Sequence, residues 1–162
     1  MNQKDVDIIK NLQEELMGLI NNGCGPFLAA IYDENYNLIA KAQNTVVKDN
    51  CSNNHAEINT IKLAQEKLKT YNLSKYNLSI YVTSEPCIMC LGAIMWSGIK
   101  KLFYSVPSSK VEQITGFDEG FKPNWIKEFN KRGIEVYPCI LEEMGTEVLK
   151  AYVKGGGIIY KP

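Results

Sequence analysis

Apolar residues at Val6, Ile9, Leu12, Leu16, Leu19 and Ile20 recur at helical spacing and stop at Asn21-Asn22-Gly23, which predicts an amphipathic first helix. Residues 27–32 form an apolar run of strand length, and Asp33-Glu34-Asn35-Tyr36-Asn37 turns the chain into a second strand over about 38–44. Ile58, Ile61, Ala64 and Leu68 mark a helix beginning near His55, and a third strand follows at 78–83. Residues 87–97, CIMCLGAIMWS, are apolar almost all round, the pattern of a buried helix. Strands four and five are expected at 101–105 and 134–137, with a helix near 125–131 between them. Leu141, Met144, Val148, Leu149 and Tyr152 line one face of a last long helix. Strands two to five alternate with helices, so the sheet is expected to be largely parallel with helices on both faces. The initial hairpin makes it mixed. Ligands of such sheets bind beyond the carboxyl ends of the strands, where helices begin.

Length and composition add limits rather than a function. The 162 residues suit one domain, read here as residues 1–154 followed by a glycine-hinged tail, 155–162. No apolar run approaches the ~18 residues of a membrane span, and the amino-terminal residues carry no signal-peptide pattern, so a cytoplasmic location is expected. Eighteen basic residues balance eighteen acidic ones, and Arg132 is the only arginine. A nucleic-acid partner, which wants a basic face and arginine forks, is therefore not expected. Five cysteines, an odd number without secretory context, argue against a disulfide framework.

Two short stretches carry chemistry: His55-Ala56-Glu57 and Pro86-Cys87-Ile88-Met89-Cys90. Both fall at predicted helix starts. Pro86 suits the first helical position. Cys87 and Cys90 are one turn apart, so their sulfurs share a face, and the helix amino terminus favours the thiolates that bind metal. With His55, the only histidine, they make a Cys₂His set: three ligands for a tetrahedral zinc ion, the fourth position left for water. Glu57 beside them is placed to carry a proton from water to a leaving group. A lone C-x-x-C also serves structural zinc or redox roles, and a lone H-x-E is common by chance. Joined, and preceded by Pro86, they match the zinc-deaminase signature.

On these motifs the chain resembles the cytidine-deaminase superfamily from Gly25-Pro26-Phe27 to the last helix, and its motifs are most similar to those of bacterial guanine deaminases. The resemblance implies a three-layer α/β/α sandwich with a five-stranded mixed sheet, one zinc per chain and a homodimer. Trp96 resembles a tryptophan of guanine deaminases where tRNA adenosine deaminases typically carry histidine. Gly116-Phe117-Asp118-Glu119 resembles their Gly-Phe-Asp-Asp segment, which implies that Asp118 recognises the purine and moves protons. Phe27 would pack on the base, and Asn44 would hydrogen-bond it. On pattern alone, Phe27 and Trp96 could as well be core, Asn44 could simply end its strand, and Asp118 could lie in a solvated loop. Tyr160, after the Gly155-Gly156-Gly157 run, resembles the final tyrosine that covers the guanine-deaminase site, although here Lys161 and Pro162 follow it; a frayed tail is the other reading. The expected activity is zinc-dependent hydrolysis of a small heterocycle, guanine to xanthine plus ammonia. Deamination of adenosine in tRNA, or of a nucleoside, cytosine or another small aminated heterocycle, remains as an alternative.

Overall fold

The structure, a computed structural model, describes residues 1–160; Lys161 and Pro162, the end of the expected tail, lie outside the described residues. The elements are α1 (Gln3–Leu19), β1 (Leu28–Tyr32), β2 (Leu38–Gln43), α2 (Val46–Asp49), α3 (Ala56–Leu68), a 3₁₀ turn (Ser74–Tyr76), β3 (Ser79–Ser84), α4 (Ile88–Ser97), β4 (Lys101–Val106), α5 (Ser108–Thr115), α6 (Trp125–Lys131), β5 (Glu135–Tyr137) and α7 (Glu142–Lys154). The five strands form one mixed sheet in the order β2-β1-β3-β4-β5. β1 runs antiparallel to both neighbours, while β3, β4 and β5 pair in parallel. Every strand except β1 therefore points the same way.

Side chains alternate across the strands and divide the core into two layers. Ala29, Ile31, Ile80, Val82, Leu102 and Tyr104 face α3, α4 and α6 through Ala56, Ile61, Ala64, Leu91, Ile94 and Phe129. Leu28, Ala30, Tyr81 and Phe103 face Ile9, Leu12 and Leu16 of α1 and Val148 of α7. Central strands covered on both faces favour apolar residues at successive positions, which is why β1 (LAAIY) reads as a continuous apolar run, and β3 (SIYVTS) is buried along its whole length. This is the expected three-layer α/β/α architecture. α1 begins with a capping box, in which Asp5 and Asn2 exchange side-chain-to-backbone hydrogen bonds of 2.7 and 3.2 Å.

Three expectations change. The connection from β4 to β5 contains two helices; α5 (SSKVEQIT), with only two apolar residues, shows no periodicity that reveals it. α4 is not buried all round: Met89 and Trp96 face solvent, and Trp96 is 83% exposed. Pro86 is not the first helical residue. Cys87 is the N-cap of α4, and Pro86 precedes it; proline instead holds Glu85 extended, so that Glu85 still donates its amide to Val106 before the chain turns.

Candidate active site

Strand direction gathers the site at one edge of the sheet. β2 and β3 flank β1 and end on the same side, so the starts of α3 and α4 lie together there. β1, running the other way, begins at that edge and brings Phe27 with it. β4 also ends there and leads through α5 into the 116–124 segment. The first turn is locked by backbone pairing: Asn44 donates to the Phe27 carbonyl at 2.9 Å, and Gly25 donates to the Asn44 carbonyl at 3.2 Å. Gly25 is required by close approach, since a Cβ there would lie 2.6 Å from Asn44 Oδ1.

His55 and Cys87 are the N-caps of α3 and α4, and Cys90 lies one turn into α4. Their ligand atoms, His55 Nδ1 and the two sulfurs, lie within 4.8 Å of one another. Each sulfur is 3.6 Å from Nδ1. A tetrahedral zinc with Zn–S of about 2.3 Å and Zn–N of about 2.05 Å requires an S···N edge of about 3.6 Å, so both S···N edges match that ion. Among the described residues no fourth His, Cys, Asp or Glu joins the set.

The electrostatics favour metal-ready sulfur. Cys90 donates to Cys87 and holds the Cys87 thiol down to about 4 against the cost of burial, with His55 adding to the effect. Cys90 is correspondingly pushed well up, by Cys87 first and then by burial. Burial works to lower the His55 pKa, but the hydrogen bond and charge of Cys87 outweigh it and the net direction is up. Glu57, the second residue of α3, is fully enclosed; burial, then the charge of Cys87, raises its carboxyl above the usual range.

A cavity of about 420 Å³ opens over this group, walled by Phe27, Phe117, Val82 and Tyr160, with Asn44, Glu57 and Glu119 as polar members. Asn44 is buried, and its Nδ2 donates to the Tyr160 hydroxyl at 2.7 Å. Tyr160 sits with its ring 6.4 Å from that of His55 and 4.9 Å from that of Phe117. The tail is thus folded over the site, held by Tyr152, whose hydroxyl donates to the Ile158 carbonyl at 2.8 Å.

His55, Glu57, Cys87, Cys90, Asn44, Phe27 and Tyr160 are brought together. Asp118 lines the mouth of the same cavity, whereas Trp96 is not part of it. Trp96 lies on the outward face of α4, about 200° round the helix from Ile94, which faces the core, and it does not line the cavity. Asp118 is exposed at the rim, with Oδ1 accepting the Gly120 amide at 2.8 Å. Its neighbour Glu119 is the carboxylate that turns inward: it is 9% exposed, and burial, opposed by Lys122, pushes it up to about 8. Glu119 and Phe117 were missed as site residues. Their only sequence signal is membership in the Gly-Phe-Asp-Glu segment.

Two thiols and an imidazole able to hold a metal, with a buried carboxylate beside them and an aromatic-walled cavity above, define a deaminase-type hydrolytic site. The chain belongs to the MafB19-like deaminase family, whose model matches residues 5–136. It is 34% identical over 125 residues to the guanine deaminase of Bacillus subtilis (strain 168), covering 76% of this chain and 78% of that one. It is 35% identical over 134 residues to a tRNA-specific adenosine deaminase of Rickettsia bellii (strain RML369-C), covering 80% and 86%. A solved guanine deaminase from Nitrosomonas europaea superposes with a TM-score of 0.84 at 38% identity, over 89% of this chain and 81% of that one. No helix among the described residues is long and apolar enough to cross a membrane.

Proposed function

We propose that this chain hydrolyses free guanine to xanthine and ammonia, with zinc held by His55, Cys87 and Cys90. One observation carries the reading: two enclosed carboxylates, Glu57 and Glu119, face the His/Cys/Cys group inside one aromatic-walled cavity. Zinc in such a site lowers the pKa of water to about 7 and so supplies a nucleophile at neutral pH. Glu57 takes one proton from the attacking water and delivers it to the ring nitrogen of the C=N bond, then moves the proton of the new hydroxyl to the amino group. Water oxygen is added at the carbon that bore the amino group, and that nitrogen leaves as ammonia. Glu119 takes the role expected of Asp118. Its carboxyl oxygens can accept the N–H groups of the purine's amidine edge. Asn44 Nδ2 donates to the purine carbonyl in place of the Tyr160 hydroxyl. Phe27 and Phe117 supply the apolar faces that a planar base wants.

Tyr160 covers part of the cavity mouth through its bond to Asn44, and the remaining volume of about 420 Å³ suits a free base. The chain is further proposed to act in the cytoplasm as a homodimer formed through the exposed face of α4. There Met89 and Trp96 stand on one stripe with Gly92 between them, where an added Cβ meets nothing. The test is ammonia release from guanine, guanosine, adenine, cytosine and isocytosine, with zinc content measured in parallel. Guanine is expected to be the preferred substrate and zinc to be stoichiometric. Glu57→Ala is expected to keep its zinc and lose at least ~10²-fold in kcat, the scale of a positioned acid–base group. Preference for another member of the panel overturns guanine, and full turnover in the variant overturns the role of Glu57.

A further inference from the structure

The 116–124 segment that carries Glu119 contains no helix or strand; its ends are tied by hydrogen bonds at Gly116, Phe117 and Asn124, while between them lie the Glu119 amide bond to Glu112 Oε1 at 3.2 Å and the Gly120 amide bond to Asp118 Oδ1. A nearly enclosed lysine adds the charged contacts. The Lys122 ammonium lies 3.4 Å from Glu85 Oε1 and 3.8 Å from Glu119 Oε2, and it donates to Ser108 Oγ. Among the described residues these are the only ion pairs in which both side chains are nearly enclosed, at 10–13% exposure; in every other pair both partners exceed 30%. Glu85 is a fixed anchor. Its Oε1 also accepts the Trp125 indole N–H at 3.0 Å, and its Oε2 accepts the Ser108 amide at 2.9 Å. It also lies two residues before Cys87, on the turn that presents the metal-ligand thiols.

We propose that Lys122 is a positioning residue for the deamination: bound to Glu85 beside the ligand turn, it docks the 116–124 segment and aims Glu119 into the cavity. This rests on the role given to Glu119 above. The physical reason is the number of charges. One ammonium serves two enclosed carboxylates, and a buried charge persists only where it is paired. Glu85 and Ser108 hold the ammonium more closely than Glu119 does. Lys122 is therefore tied to the scaffold, and Glu119 is the partner left free to engage substrate. A lysine, as a compact point charge with three donors, can make all three contacts at once.

A double-mutant cycle tests this. Lys122→Met is expected to lower kcat roughly 10- to 100-fold, as a misplacement of about an ångström does, with KM and zinc content near wild type. Lys122→Arg should recover most of the loss. On a Glu119→Gln background the same change should cost little more, because residues acting through one group are not additive. Chymotrypsin should also cut the 116–124 segment, which holds Phe117 and Phe121, faster in Lys122→Met than in wild type. If Lys122→Met does not fold, Lys122→Gln, which keeps the hydrogen bonds and drops the charge, takes its place. The proposal is overturned by wild-type kcat with unchanged cleavage, by an equal loss on the Glu119→Gln background, or by loss of zinc alongside activity. The cycle is run on whichever base the wild type deaminates, so a wrong substrate assignment leaves it intact. If no base is turned over, the cleavage rate decides alone.

Discussion

At the scale of single residues, two adjacent carboxylates have opposite fates. Asp118 is exposed and spends an oxygen on the Gly120 amide, whereas Glu119 is enclosed beside the ligand cluster. Consecutive residues of an extended loop point to opposite sides, and nothing in the local sequence fixes which side faces the cavity. His55, Glu57, Cys87 and Cys90 were legible because the two joined motifs match the zinc-deaminase signature, to which helix geometry adds only that Cys87 and Cys90, one turn apart, share a face. For activity, Glu119→Gln is expected to lose at least ~10²-fold in kcat, whereas Asp118→Asn should stay within a few-fold; the reverse ranking in steady-state kinetics returns the role to Asp118. Stability should move the other way. A carboxyl raised from 4.5 to about 8 favours its protonated form in the folded state, so its contribution is fully present below 4.5 and is lost as pH rises through 8. Zinc-free Glu119→Gln should therefore match wild type in urea midpoint near pH 4.5 and exceed it increasingly towards pH 8. Each tenfold change in proton affinity is worth about 1.4 kcal/mol. A constant gap across that range would show that burial does not penalise the charge.

At the scale of elements, hydrophobic periodicity located α1, α3, α6, α7 and all five strands to within a residue or two, since each buries a face long enough to leave a pattern. α2, the 3₁₀ turn and the largely polar α5 left none. The tail was the hardest to read, because Gly155-Gly156-Gly157 fits a loose end as well as a tight turn. Packing decides for the turn. Gly156 has φ of 77°, the left-handed region, and a Cβ on Gly157 would fall inside the Tyr152 ring. The glycine run is a docked bend that delivers Tyr160 to Asn44. Gly157→Ala should therefore dislodge Tyr160 and lower kcat/KM about tenfold, the worth of one aimed hydrogen bond. Truncation after Gly157 should give a similar loss. Wild-type kcat/KM in both would remove Tyr160 from the site.

At the scale of the whole molecule, one topological choice makes the site: β1 is inserted antiparallel between β2 and β3. That insertion keeps the ends of β2 and β3 on one side and sets the chain turn at Phe27 between the starts of α3 and α4. The sequence legibly predicted a hairpin followed by alternating strands and helices. It did not reveal the strand order, because pairing partners are set by long-range contacts rather than by local pattern. The same limit explains Trp96, whose place in a motif suggested contact with substrate. The helix that buries Cys90, Leu91 and Ile94 must turn Trp96 outward, and an 83% exposed indole is costly to leave in water. The homodimer proposed above would account for that cost: residues 89, 92 and 96 lie on one stripe of α4, and the glycine between the two large side chains leaves room for a second helix. Trp96→Glu places a charge at the centre of that face. Sedimentation equilibrium should then report one chain per particle, against two for wild type, with zinc content unchanged. A dimer that survives the substitution moves the interface elsewhere, and a wild-type monomer removes it.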